Sequence, residues 1–220
     1  MTDESSELVT LADPRSPVAE AYRTLRANIA LSSLDLPVRS ILLTSAGPDE
    51  GKSTTIANLA VAFAQAGSRV ILVDCDLRRP SLSKLFGLSN ERGLTTMLVA
   101  ETEPAPLQDT SVEGLRLLAS GPPPPNPSEV LGSKRLERAL AALVEQADIV
   151  LVDCPPVLTV SDASILSRKV DAVLLVVSAG RTKRDQSARA KQLLDRSGAR
   201  VLGAVLNNAR LDASAYSYYS

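Results

Sequence analysis

The chain has 220 residues, enough for one large domain with a sizeable core, and its 45% hydrophobic and 22% charged residues exclude a mainly disordered protein. The formal net charge of −1 provides no general attraction to nucleic acid, so we expect no nucleic-acid partner. The chain contains no histidine, which excludes His-based catalysis and His metal sites and leaves carboxylates, Lys, Tyr and Cys for proton transfer.

The two cysteines and the apolar runs bear on the cellular compartment. Cys75 and Cys154 are too few for a disulfide framework or a four-ligand zinc site, and we expect two reduced thiols. No apolar run approaches the roughly 18 residues of a membrane-spanning helix. The first residues, MTDESSE, lack the apolar stretch of a signal peptide. These features predict a cytoplasmic chain, or one taken from a larger protein.

The chain order of predicted elements favours an α/β fold. Residues 1–16 are polar and predict a flexible segment, and residues 17–33 carry apolar residues at helical spacing. Short apolar strands then alternate with helical patterns, which is typical of a mainly parallel twisted sheet with helices on both faces. The predicted strands are 40–45, 69–75, 148–154, 171–178 and 200–207, and the predicted helices are 52–66, 134–146 and 182–196.

The boundaries of the predicted domain follow from the same pattern. No internal repeat is visible, and we expect one domain over residues 17–209, followed by a tyrosine-rich tail over 210–220. The loop at 121–127 contains five prolines, and Asn126 is predicted to cap a helix that begins at Pro127.

The first strand is followed by a phosphate-binding pattern. The stretch AGPDEGKSTT fits the P-loop, with Ala46 at the first glycine position and Gly51, Lys52 and Ser53 at its end. Gly51 permits a tight turn, and the amides that open the next helix favour phosphate oxygens. Lys52 can reach the β- and γ-phosphates, and the Ser53 hydroxyl can bind magnesium.

Two further strands end in carboxylates. Asp74 and Asp76 follow the second strand in ILVDCDLRRP, and Asp153 ends the apolar strand IVLVD in a Walker B pattern. Because ligands bind at the carboxyl edge of such sheets, we expect these acids to meet the P-loop there. The alternatives are a helix cap or a structural acid paired with Arg78 or Arg79, and, for Asp153, an ordinary strand-end acid.

Four stretches together resemble one family. ILVDCDLRRP, SPVAEAYRTLRANI at 16–29, GPPPPNPSEVLGS at 121–133 and the tail AYSYYS are similar to motifs of the bacterial tyrosine kinases (BY-kinases) of capsule and exopolysaccharide synthesis. These kinases lie within the P-loop superfamily that contains the MinD and ParA ATPases. The resemblance implies a P-loop NTPase fold and a protein-tyrosine kinase that uses ATP and Mg²⁺.

The resemblance also implies roles for individual residues. Asp76 would bind magnesium directly, with Ser53 and with the assistance of Asp153, and Asp74 would accept the proton of the attacking tyrosine. The implied catalytic residues are Lys52, Asp74, Asp76 and Asp153. Asn207 would hydrogen-bond adenine, whereas Arg78 follows the family pattern with no assigned role. The predicted nucleotide-binding residues are Gly47, Pro48, Asp49, Glu50, Gly51, Lys52, Ser53, Thr54 and Asn207.

The N-terminal helix and the partners of the family form a second set of expectations. Glu20, Arg23 and Arg26 share one helix face, which taken alone predicts a solvated charged surface. The resemblance implies instead that they contact the next subunit of a homo-oligomeric ring. It also implies a transmembrane activator of the polysaccharide co-polymerase type that recruits the chain to the inner face of the plasma membrane, and a tyrosine phosphatase.

Three of the four tyrosines, Tyr216, Tyr218 and Tyr219, lie in the last five residues. From Asn207 to Tyr216 is nine residues, an extended span of roughly 30 Å. The hypothesis is autophosphorylation of this tail in trans, across a ring interface. The alternative is a partly ordered, adhesive terminus.

Other functions of the superfamily fit less well. A MinD- or ParA-like ATPase switch carries a further lysine near the start of the P-loop, where this chain has Gly47. An iron–sulfur scaffold ATPase needs a Cys-x-x-Cys pair, which is absent. A non-catalytic scaffold whose nucleotide only holds a ring together stays open. Arg181 and Arg184, at the start of a predicted helix, could contact nucleotide or lie at the surface, and we favour the surface.

Overall fold

The computed structural model describes residues 8–32, 36–100 and 104–210. The helices are α1 (Val9–Ala12), α2 (Pro17–Ser32), α3 (Lys52–Ala64), α4 (Leu82–Leu85), α5 (Leu94–Ala100), α6 (Pro127–Gly132), α7 (Lys134–Val144), α8 (Asp162–Leu166) and α9 (Arg184–Arg196). The strands are β1 (Ser40–Ser45), β2 (Val70–Asp74), β3 (Gln108–Asp109), β4 (Leu115–Leu118), β5 (Ile149–Asp153), β6 (Ala172–Ser178) and β7 (Val201–Asn207).

The strands form one sheet in the order β3-β4-β2-β5-β1-β6-β7. Every neighbouring pair is parallel except β3–β4. Every residue of β1, β2 and β5 is buried, because these apolar strands are covered on both sides. β1 lies beside the central strand β5, which brings the loop that follows β1 close to the middle of the carboxyl edge.

Helices cover both faces of this sheet. On one face, α2 and α3 enclose Ile29, Ile56 and Leu59 against the strands. On the other face, Leu94 of α5, Leu140 of α7 and Leu194 of α9 belong to a second apolar cluster. The predicted α/β fold with a mainly parallel sheet and helices on both faces is therefore confirmed.

The predicted elements agree with the structure to within a few residues at their ends. Helix α7 begins after Ser133, whose hydroxyl accepts a hydrogen bond from the Leu136 amide at 3.2 Å. Helix α6 begins at Pro127, as predicted. The cap itself differs, because the Asn126 side chain makes no capping bond and instead donates to Glu129 Oε2 at 3.3 Å.

Two strands were not predicted. β4 follows Gly114 and contains Arg116 in the middle of only four residues, so its sequence lacks the continuous apolar run of the other strands. β3 has two residues and pairs antiparallel with β4 at the sheet edge. Both strands owe their conformation to the sheet beside them rather than to a local pattern.

The expectation of a flexible segment over residues 1–16 is wrong for residues 8–12. Leu8 and Thr10 are buried, and α1 packs against α3. The Thr10 amide and hydroxyl both donate to Asn58 Oδ1, at 3.0 and 2.9 Å, and Gln65 donates to the Thr10 carbonyl at 3.2 Å. This segment is ordered because α3 offers buried hydrogen-bond partners and the core accepts Leu8, which only the folded structure reveals.

Candidate functional site

The candidate site lies at the carboxyl edge of three adjacent strands, β2, β5 and β1. Asp74 and Asp153 face each other in the register of β2 and β5, and Leu43 of β1 faces Asp153 from the other side. The P-loop follows directly after β1 at Ser45. The structure thus brings together the P-loop and the three predicted acids.

The backbone of the P-loop is shaped to present amides. Gly51 has φ = 84° and Asp49 has φ = 55°, so two positions lie in the left-handed region. Helix α3 begins at Lys52, immediately after Gly51. Successive amides in such a turn, together with a helix N-terminus, form a concave site for phosphate. Residues 47–54 of the predicted nucleotide-binding set all belong to this turn and the start of α3.

Three side chains support the P-loop from behind, an arrangement the sequence did not reveal. The buried Glu50 carboxylate accepts from the Ala46 amide at 3.1 Å and from the Thr182 hydroxyl at 2.7 Å. Asn207, at the end of β7, donates to the Glu50 carbonyl at 3.0 Å. Asn207 therefore holds the P-loop backbone in this structure, and its contact with adenine stays a prediction.

Arg181 also contacts the P-loop. Its guanidinium donates to the Asp49 carbonyl at 2.9 Å and lies 3.8 Å from the Asp49 carboxylate. Both Arg181 and Arg184 are exposed, as expected. The position of Arg181 beside the phosphate-binding turn agrees with the alternative of a nucleotide contact, which stays a prediction.

Lys52 is the centre of a buried ionic cluster. Its Nζ lies 2.8 Å from Asp76 Oδ2, 3.5 Å from both oxygens of Asp153 and 3.0 Å from Ser53 Oγ. The Ser53 hydroxyl in turn donates to Asp153 Oδ2 at 2.5 Å. Lys52 thus contacts all three residues predicted to bind magnesium.

The electrostatics of the cluster reflect burial and mutual charge. Burial alone would lower the pKa of Lys52, but the carboxylates of Asp153 and Asp76 outweigh it and raise that pKa. Burial raises the pKa of Asp153, against the opposing effects of Lys52 and Ser53. Burial and the neighbouring charge of Asp153 raise the pKa of Asp74 to about 7. Asp74 is thus a carboxyl whose pKa burial and the charge of Asp153 shift toward neutrality.

Backbone amides fix the orientation of Asp74. Its Oδ2 accepts from the amides of Ser81 and Leu82, both at 3.1 Å, and its Oδ1 accepts from the Asp76 amide at 3.2 Å. These bonds to the start of α4 agree with the helix-cap alternative for Asp74. The alternative of an Arg78 partner is wrong, because Arg78 pairs with Asp162 at 2.9 Å.

The donor atoms at this edge suit magnesium. Ser53 offers a hydroxyl oxygen, and Asp76 and Asp153 offer carboxylate oxygens, which are the ligands Mg²⁺ prefers. In the described part of the chain, no group of three or more Asp, Glu or Cys is arranged to hold a metal by itself. That fits a nucleotide site, since Mg²⁺ takes one or two carboxylates together with substrate phosphates.

The cysteines lie beneath the acids but carry no reactive thiol. Cys75 and Cys154 are fully buried and unbonded to each other. Burial raises the pKa of both thiols well above the usual range. The expectation of two reduced thiols is confirmed, and both are packed in the apolar cluster of the sheet.

The remaining predicted residues lie away from the P-loop or outside the described ranges. Arg23 pairs with Glu20 at 2.6 Å and also donates to the Pro14 carbonyl, while the Arg26 Nε is buried without a hydrogen-bond partner among the described residues. The tail with Tyr216, Tyr218 and Tyr219 falls outside the described residues. Of the helices in residues 8–32, 36–100 and 104–210, none is both long and apolar enough to span a bilayer.

The comparisons with known proteins agree with the geometry. Residues 38–216 match the ParA family described as "NUBPL iron-transfer P-loop NTPase". The tyrosine-protein kinase YwqD of Bacillus subtilis is 42% identical over 214 residues, which cover 96% of this chain and 90% of the relative. The tyrosine-protein kinase CpsD of Streptococcus pneumoniae is 37% identical, covering 91% of this chain and 88% of that protein.

A solved structure supports the same conclusion. The kinase domain of the Escherichia coli tyrosine kinase ETK is 32% identical and superimposes with a TM-score of 0.87, over 93% of this chain and 82% of that domain. The match therefore covers fold and sequence together, over most of the chain. The chain belongs to the bacterial tyrosine-protein kinases, within the ParA family of P-loop NTPases.

Proposed function

We propose that the protein uses ATP and Mg²⁺ to phosphorylate the tyrosines of its own C-terminal tail, one subunit of a ring acting on the next. The observation that carries this proposal is the third carboxylate, Asp74. A nucleotide switch needs Asp76 and Asp153 at its metal, whereas a kinase also needs a proton acceptor for the tyrosine hydroxyl. Asp74 supplies a carboxylate beside that metal site, and burial and the charge of Asp153 raise its pKa to about 7.

The nucleotide phosphates would bind to the amides of residues 47–54, with Asn207 next to adenine. Lys52, which contacts Asp76 and Asp153, would turn its ammonium toward the β- and γ-phosphates. Ser53, Asp76 and Asp153 would hold Mg²⁺. The metal, when bound, would neutralise the charge of the phosphates and of the leaving diphosphate.

In the transfer, the tyrosine oxygen bonds to the γ-phosphorus, and the bond from that phosphorus to the β–γ bridging oxygen breaks. The bridging oxygen keeps the electron pair and leaves with ADP. The phenolic proton passes to the carboxylate of Asp74. A pKa near neutrality suits this step, because the carboxylate is available yet basic enough to take the proton.

Access to Asp74 needs a local change. Its exposed fraction is 0%, and three amides already bind its two oxygens. A carboxylate can accept about four hydrogen bonds, so one acceptor position stays available. The tyrosine hydroxyl would reach it through an opening of the loop between Asp74 and Leu82, or through one bridging water.

The tail can serve as the substrate because of its length. Tyr216 lies nine positions after Asn207, which is at the edge of the sheet, and this stretch spans roughly 30 Å when extended. Each phosphate adds about 1.5 to 2 negative charges at neutral pH. Accumulated phosphates would drive the tail away from the acidic site and release neighbouring subunits from one another.

Glu20, Arg23 and Arg26 of α2 would form the contact between subunits. We expect the double variant Arg23→Ala/Arg26→Ala to shift the protein to monomers in light scattering, whereas Lys191→Ala, which removes the exposed pair with Asp195, leaves the assembly unchanged. If the wild-type protein is monomeric at all concentrations with ATP and activator present, the proposed ring is wrong.

The partners of this kinase would be a transmembrane activator of the polysaccharide co-polymerase type and a tyrosine phosphatase. The activator would recruit the kinase to the inner face of the plasma membrane. The phosphorylation cycle would regulate synthesis and export of capsule or exopolysaccharide. The family relationship supports this proposal.

Intact-mass measurement tests the tail assignment. The full chain is incubated with ATP and Mg²⁺, with and without the cytoplasmic segment of the activator, and modified residues are mapped. We expect one to three phosphates on the tail, none in Lys52→Met, and none in the triple Phe variant of Tyr216, Tyr218 and Tyr219. Tyr22→Phe and Lys84→Met are the matched controls and should label normally. Phosphate on the triple variant would contradict the tail as acceptor.

A mixing experiment tests transfer between chains. Lys52→Met keeps the tail but lacks the P-loop lysine, and the triple Phe variant keeps the lysine but lacks the acceptors. We expect phosphate to appear on the Lys52→Met chain only when both variants are present. Labelling of wild type that is independent of concentration, with no transfer in the mixture, would show transfer within one chain.

A further inference from the structure

The loop after β2 is fixed by a cluster of three side chains that has no assigned role, the Arg78 cluster (Arg78, Ser128 and Asp162). Arg78 Nε donates to Asp162 Oδ2 at 2.9 Å, and its second nitrogen lies 3.0 Å from Ser128 Oγ and 3.4 Å from Asp162 Oδ1. The Ser128 hydroxyl donates to Asp162 Oδ1 at 2.6 Å. Both carboxylate oxygens of Asp162 are therefore satisfied.

Burial shows that this cluster is more than a surface ion pair. The Asp162 side chain is fully buried, whereas 38% of the Arg78 side chain is exposed. A buried carboxylate is costly unless its charge is paired and its lone pairs are hydrogen-bonded, and Arg78 and Ser128 provide both. The guanidinium contacts Asp162 with two nitrogens, a geometry that a lysine cannot reproduce.

The cluster joins three chain segments at the carboxyl edge. Arg78 lies two residues after Asp76, Ser128 belongs to α6 after the proline loop, and Asp162 begins α8, nine residues after Asp153. Asp76 and Asp153, the two acids predicted to bind Mg²⁺, therefore lie at or just after the ends of the neighbouring strands β2 and β5. The ion pair between Arg78 and Asp162 links the two chain segments that continue from these strands. The orientation of Asp76 also depends on this turn, since its Oδ1 accepts from the Arg79 amide at 3.0 Å.

We propose that Arg78 and Asp162 are positioning residues that set the separation of Asp76 and Asp153 and so the affinity of the site for Mg²⁺ with nucleotide. This inference rests on the proposed function for the identity of the metal ligands. Side chains that orient metal ligands from behind typically change metal affinity or activity by about 10- to 100-fold when removed. A purely structural pair would lower stability and leave metal dependence unchanged.

The same two strands provide a matched control. Arg69 and Asp148 precede β2 and β5, and their side chains pair at 2.7 Å at the amino edge of the sheet. Arg69→Gln thus removes a pair of the same type that links the same strands, at the end away from the P-loop. We expect its Mg²⁺ dependence to equal that of wild type.

The experiment measures binding of a fluorescent ADP analogue to the full chain as Mg²⁺ is titrated, and repeats the measurement with EDTA. For Arg78→Gln and Asp162→Asn, we expect the Mg²⁺ concentration at half-maximal binding to rise about 10- to 100-fold. Arg78→Lys should lie between these variants and wild type. Affinity in EDTA should stay within about twofold of wild type, since the P-loop amides are untouched.

Wild-type Mg²⁺ dependence in Arg78→Gln would overturn the proposal, whatever the loss of stability in urea. If Arg78→Gln and Asp162→Asn do not fold, Arg78→Lys takes their place, because it keeps the charge of the pair but not its two-nitrogen geometry. A several-fold rise in the Mg²⁺ requirement supports the proposal, and no change refutes it. A wild-type protein that binds Mg²⁺ with nucleotide but forms no phosphotyrosine on its tail, with the activator segment present, would contradict the proposed autophosphorylation alone.

Discussion

The contact between Gly51 and Asn207 allows a quantitative test of the P-loop geometry. Gly51 has φ = 84°, and a Cβ at this position would lie 2.0 Å from Asn207 Nδ2. The same amide nitrogen donates to the Glu50 carbonyl at 3.0 Å. The substitution Gly51→Ala therefore strains the backbone and also displaces a side chain that holds the loop.

Two contributions determine the loss of stability. Alanine in the left-handed region costs about 1–2 kcal/mol. Displacing Asn207 removes one hydrogen bond, worth about 1 kcal/mol. We expect Gly51→Ala to lower the free energy of unfolding by about 2–3 kcal/mol, measured by urea denaturation without nucleotide.

Gly67 provides the matched control. Its φ is 87°, but no heavy atom of the described residues lies within 4 Å of a Cβ built there. Gly67→Ala therefore carries only the backbone contribution, about 1–2 kcal/mol. The difference between the two losses in free energy of unfolding gives the contribution of the contact between Asn207 and the P-loop.

A double-mutant cycle of Gly51→Ala and Asn207→Ala measures the contribution of the Asn207 contact independently. In an Asn207→Ala background the hydrogen bond to Glu50 is already lost, so Gly51→Ala should cost only the backbone strain. We expect a coupling free energy of about 1 kcal/mol. If Gly51→Ala costs no more than Gly67→Ala, or if the cycle shows no coupling, the inferred contact is wrong.

Three more predictions concern buried polar groups. The pKa of Asp74 is about 7 in the folded protein and about 4 in the unfolded chain, so its ionisation lowers the free energy of unfolding as pH rises from 4 to 8. Asp74→Asn should remove up to about 4 kcal/mol of this decline, measured by urea denaturation across that pH range. Lys52→Met leaves Asp76 and Asp153 without their cation and should lower the free energy of unfolding by about 3 kcal/mol, whereas Lys84→Met, at an exposed position, should not lower it. If adding Asp153→Asn to Lys52→Met makes this loss smaller, the unpaired carboxylate charge is the cause. Asn58→Ala leaves two donors of Thr10 unpaired, and hydrogen exchange should show faster exchange of residues 8–12 with unchanged exchange in β1.

The sequence alone predicted the parts of the molecule that depend on local patterns. The apolar strands, the P-loop turn and the acids at strand ends are each readable within about ten residues, and the parallel topology then places Asp74 beside Asp153. The fold class and the family followed from these patterns.

The missed features depend on residues distant in sequence. Thr182 binds Glu50 across 132 positions, and Arg78 binds Asp162 across 84 positions. The N-terminal helix α1 is ordered by Asn58, 48 positions away from Thr10. No local pattern encodes such pairs, because each becomes meaningful only when the sheet has brought its partners together.

The order of the strands also governs when the site can form during synthesis. The neighbours of β1 are β5 and β6, so a nascent chain that ends before residue 149 exposes both edges of the fully buried strand Ser40–Ser45. Non-local pairing of this kind folds slowly and leaves strand edges open to aggregation. The P-loop meets Asp153 only after about 100 further residues have been added. Assembly of the site thus requires two segments about 100 residues apart, so the P-loop serine and lysine stay without their acidic partner until β5 has been made.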